Sequence, residues 1–212
     1  MSVGTFAVCI AFLNNNGITY EPYVSLFVII LEIPAIIVGL TLAHKGQQET
    51  KFISILKETV RSKAVILLAG GLMIGWISGK QKLEPYNALF VKLFYGVLAM
   101  FLIDMGRTVS TRLKEAKEHG LFVLVFGILM PLFSGCVGIT IGTLIGLSLG
   151  GTIVVGVLAA SASYIAVPAA MKMSLPQANL SLSLGSSLGI TFPFNVILGI
   201  PLFYQIALKI HS

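Results

Sequence analysis

The stretch SASYIAVPAAM at positions 161–171 sets two hydroxyls, Ser161 and Ser163, beside Ala160 and Ala162 and a short way ahead of Pro168, inside one of the most apolar parts of the chain. A proline within a helix leaves backbone groups unpaired, and hydrocarbon offers those groups no water. Such a break is tolerable only where protein buries it or where it lines a wet cavity. Freed amides at a helix N-terminus can hold an anion, whereas hydroxyls and freed carbonyls suit a small hard cation. The candidate ligands are Ser161, Ser163 and the backbone of residues 159–162, with Ser2, Gly4 and Thr5 in the opening segment MSVGTFAVCIAFL. A competing reading is that these small residues only let helices pack closely.

Glu32 stands in VIILEIPAII, well inside an apolar run and two residues before Pro34. A carboxylate there is costly and is a functional suspect by default. It could bind a coupling cation or a proton, or it could cap the groups that Pro34 leaves unpaired.

Other chemistry finds no support. His44, His119 and His211 lie at span edges or in the tail, without partners at triad or ligand spacing. GGLMIG and GTLIG lack the strand and the Lys-Ser/Thr of a phosphate loop and read as packing glycines. Cys9 and Cys136 sit in apolar segments without metal-ligand spacing. The chain therefore reads as no enzyme and as holding no resident cofactor.

The elements that must position these residues belong in a bilayer. Hydrophobic residues make up 56% of the 212 and charged residues only 10%, with a mean hydropathy of +0.96, against about one quarter charged in soluble domains. The formal charge of +6 concentrates in HKGQQETKFISILKETVRSK and RTVSTRLKEAKEHG, two segments between apolar spans. It reports a positive-inside topology rather than a nucleic-acid partner.

The pattern predicts an all-α, multi-pass membrane protein of about six to seven membrane segments. It predicts a half-helix at Val3 to Leu13 and spans at Tyr23 to Ala43, Ala64 to Ser78, Tyr86 to Met105 and Gly120 to Leu147. A broken region at Gly151 to Met173 follows, then a final span from Leu180 to Leu208 interrupted by Pro193 and Pro201. The organisation expected is residues 1–43 as the C-terminal part of a first repeat, 44–63 as a basic cytoplasmic loop, and 64–212 as a second repeat. The loop reads either as a short interfacial helix or as a solvated connector.

Sliding the start of the chain onto its end at an offset of 159 sets SVGTFAVCIAF beside SASYIAVPAAM, and LEIPAIIVGL beside ITFPFNVILG. Ser2 meets Ser161, and Pro34 meets Pro193. With the predicted topology the two copies run in opposite directions, the inverted-repeat architecture of many secondary transporters.

GVLAASASYIAVPAAMKMSLPQANLSLSLGSSLGITFPFNVILGIPLF, with SVGTFAVCIAFL, LEIPAIIVGL and the LKEAKEHG to LMPLFSG stretch, resembles the sodium-dependent bicarbonate transporter family. The resemblance covers essentially the whole chain. It implies a symporter of the inner cell membrane with two inverted five-helix repeats, crossed half-helices and alternating access. It also implies bicarbonate as substrate, sodium as coupling ion, a homotrimer and a PII-like regulatory partner. Carried over, Ser2, Gly4 and Thr5 supply one half-site and Ser161 and Ser163 the other, with sodium at the two serines. Tyr164 stands where cyanobacterial members carry an intramembrane aspartate, and Glu32 where they carry an aspartate before Ile-Pro. The family has further spans before the point where this chain begins, so the expectation is a truncated form. The alternatives are an inverted-repeat carrier for another small organic anion, or a non-transporting membrane subunit.

Overall fold

The computed structural model describes residues 1–43, 63–86, 88–118, 120–165, 167–168, 171 and 177–211. The basic loop expected at 44–63, and with it the interfacial helix, lies outside that set except for Lys63, which begins a helix. Seven helices carry the described chain: α1 Val3–Asn15, α2 Leu26–Ala43, α3 Lys63–Leu83, α4 Leu93–Glu118, α5 Leu121–Leu144, α6 Leu149–Ala160 and α7 Leu180–His211. No strand occurs among the described residues.

Polar side chains start three of these helices. Ser2 accepts from the Thr5 amide at α1, Ser148 from the Gly151 amide at α6, and Asn179 from the Ser181 and Leu182 amides at α7. Each satisfies orphan donors of a first turn, a role suited to a short oxygen-bearing side chain.

Length divides the helices. α4 over Leu93–Leu113, α5 and α7 are long and apolar enough to cross a membrane. α1 and α6, with 13 and 12 residues, rise only about 20 Å at 1.5 Å per residue, against a hydrocarbon core of roughly 30 Å. These two short helices lie side by side and antiparallel. Ser2 at the start of α1 meets Ser161 at the end of α6, and Glu21, beyond the end of α1, meets Ser148 at the start of α6.

α6 is apolar on every face, so it must be covered on every face. Ile153, Val154, Val157 and Leu158 are fully buried, packed with Cys9 and Leu13 of α1, Val28 of α2, Ile139 of α5 and Phe203 of α7. Missing side chains let α5 and α6 come together: a Cβ on Gly138 would stand 2.8 Å from the Ala159 methyl and 2.9 Å from the Gly156 backbone. Outward-facing residues such as Trp76, Met100 and Phe122 are large, apolar and exposed, as suits lipid contact.

Two expectations need correcting. The span expected to end at Met105 does not stop there: α4 continues through the basic residues from Arg107 to Glu118, because Arg, Lys, Leu, Glu and Ala are strong helix formers whatever their hydropathy. Nor do Pro193 and Pro201 interrupt the last span. Each follows a π-helical stretch, Gly185–Thr191 or Asn195–Gly199, whose wider turn accommodates the missing N–H and the ring. The expected end of the Ala64 to Ser78 span has a counterpart in the kink at Gly79, whose φ of 69° lies in the region that glycine tolerates.

Candidate functional site

The C-terminus of α6 ends inside the protein, so its last carbonyls need partners. The Leu158 carbonyl accepts from the Ser161 amide at 3.2 Å and from the Ser161 hydroxyl at 2.8 Å. The Ala160 carbonyl accepts from Asn195 Nδ2 at 2.9 Å. A helix end that would be prohibitively polar in hydrocarbon is thereby closed by one hydroxyl and one amide.

The N-terminus of α1 faces it. The Ser2 amide donates to Ser161 Oγ at 3.0 Å. Ser2 Oγ accepts from the Thr5 amide at 3.1 Å and from the Thr5 hydroxyl at 3.0 Å. Ser2 and Thr5 are both buried. The Tyr164 phenol oxygen reaches the same turn: a Cβ on Gly4 would stand 2.6 Å from it. The positive end of one short helix dipole and the negative end of the other thus meet at one place, where donors suited to an anion lie within a few residues of hydroxyls and carbonyls suited to a cation.

Glu32 of α2 reaches the same region. Its carboxylate accepts from the Ser163 hydroxyl at 3.1 Å, and both side chains are 7% exposed. Glu32 therefore ties α2 to the irregular segment after α6. The structure brings Ser2, Gly4, Thr5, Ala160, Ser161 and Tyr164 into one cluster, with Ser163 and Glu32 as a linked pair; Ala162 lies in the same segment, between the two serines.

Sequence reasoning passed over three contributors. Asn195 is fully buried, and among the described residues its Oδ1 has no partner. An amide inside FPFNVIL, two residues after Pro193, was the available signal. Phe101 and Phe192 wall the cluster, with Phe192 edge-to-face on Tyr164 at a centroid distance of 5.9 Å and on Phe101 at 6.4 Å. Aromatic residues are common enough in apolar spans that nothing singled these two out.

Residues 1–208 match the family described as the Na+-dependent bicarbonate transporter superfamily. No curated protein matches the chain.

Proposed function

The chain belongs to the Na+-dependent bicarbonate transporter superfamily, and from that membership we propose that it carries bicarbonate across the inner cell membrane, driven by a sodium gradient. The anion binds at the start of α1, among Ser2, Gly4 and Thr5. Sodium binds the hydroxyls of Ser161 and Ser163 with backbone oxygens at Ala160 and Ala162 and the Glu32 carboxylate. Neutralising one ion with the other lets both leave water together, which neither can do alone at an acceptable cost. Release on the opposite side follows from rocking of one repeat against the other. The working form in this proposal is a homotrimer that answers to a PII-like partner.

The observation that carries the reading is the contact of Ser2 with Ser161. These residues are set opposite one another at the internal offset of 159, and a two-fold axis between inverted repeats brings equivalent residues together where it passes. That supports a site on the axis, where such carriers bind substrate.

A second reading has its own support: the row of Tyr164, Phe192 and Phe101 offers an apolar wall to an organic anion with a hydrocarbon part. Uptake of radiolabelled bicarbonate by the full-length protein in proteoliposomes, in competition with formate, acetate and lactate, separates the two. Strongest competition by unlabelled bicarbonate supports the first reading. Competition by monocarboxylates alone transfers support to the second, and absence of uptake for every anion overturns both.

A further inference from the structure

The start of α1 already has an occupant. The Tyr164 phenol oxygen lies against the first turn of α1, beside Gly4. A methyl group at Gly4 would stand only 2.6 Å from that oxygen and 2.7 Å from the Phe101 ring, so the absence of a side chain at position 4 is what admits them both. The Tyr164 ring leans edge-on against Phe192. Apolar contact thus holds the ring, and its oxygen sits at the start of α1, where the first-turn amides lie.

Residues 161–165 lie outside regular helix, so the ring can withdraw without unwinding α1 or α6. An anion gains more from the same donors than a neutral phenol does, because charge-assisted hydrogen bonds are roughly twice as strong. We propose that the Tyr164 hydroxyl is a built-in competitor for the anion site, and that the carried anion must displace it from the start of α1. Tyr164 therefore sets both the affinity of the carrier and the minimum charge an occupant needs. This rests on the reading of the α1 terminus as the anion site.

Tyr164→Phe keeps the ring and its edge contacts and removes only the oxygen. In the full-length protein the KM for bicarbonate falls by about threefold to tenfold, the worth of one neutral hydrogen bond. An unchanged or raised KM overturns the proposal. Fluorotyrosine at position 164, titrated with bicarbonate, formate and acetate, gives a reading independent of transport. The inference expects the fluorine resonance to move saturably. Uptake without such movement overturns the competitor role and leaves the transport reading standing. Movement without uptake upholds the competitor role and overturns the transport reading, and no movement with any anion overturns the competitor role outright.

Discussion

The backbone amide of Ser2 donates to the hydroxyl of Ser161 at 3.0 Å across 159 positions of sequence. That one bond joins the N-terminus of α1 to the C-terminus of α6 and holds the two ends of the candidate site together. Its loss is therefore felt both in stability and in transport.

Ser161→Ala leaves the Ser2 amide, in a residue only 3% exposed, without its acceptor, at a cost of about 1–3 kcal/mol. Thermal unfolding of the purified protein in detergent records that loss, and bicarbonate uptake falls roughly tenfold or more, as a matching loss of binding energy requires. Ser161→Thr retains the hydroxyl and keeps most of both. Full uptake in the alanine variant contradicts the placement of Ser161 in the site.

Glu32→Gln retains an oxygen to accept from Ser163 and removes the negative charge. The expected outcome is near-normal stability, within about 1 kcal/mol, together with loss of sodium stimulation of uptake. Persistence of that stimulation assigns Glu32 to a structural role at the Pro34 break instead.

Packing between α5 and α6 is backbone against backbone at Gly138, where no flexible side-chain end can give way. Gly138→Ala costs about 1–3 kcal/mol by overpacking. Gly75→Ala, with nothing within 4 Å of the added carbon, gives no such loss. Melting curves of the two variants beside the parent check the contrast.

Glu21 predicts a dependence on pH. Burial pushes its carboxyl up, but hydrogen bonds from the Ser148 amide, its own amide and the Ser148 hydroxyl outweigh that and hold it below the ordinary value of 4.5. A carboxyl depressed in the folded state stabilises the fold at pH above its ordinary value and loses that contribution as the pH falls through the depressed value. The charge at the start of α6 is worth about 0.3–1 kcal/mol, toward the lower end because solvent screens this partly exposed group. Unfolding measured from neutral to acid pH shows this loss in the parent, and Glu21→Gln removes that part of the dependence.

The legible and illegible parts of this protein differ in range. Hydropathy and a proline among small residues marked the broken segment at Ser161 to Tyr164, and a lone carboxylate in an apolar run marked Glu32. Both signals are local. The extension of α4 from Arg107 to Glu118 escaped notice because hydropathy falls there while helix propensity does not. Glu21 reads as one residue of a polar bend until Ser148, 127 positions away, is folded against it. Asn195 and the Tyr164 contact with Gly4 likewise depend on which helices become neighbours, which no periodicity within a helix encodes.

The central claim is that the chain couples bicarbonate to sodium, and accumulation in proteoliposomes tests it most directly. Vesicles holding the full-length protein receive an inward sodium gradient, or an equal potassium gradient, at clamped membrane potential. The account predicts that radiolabelled bicarbonate accumulates above its equilibrium level with sodium alone, and that Glu32→Gln abolishes the accumulation. Equal uptake with sodium and potassium, never rising above equilibrium, would contradict it.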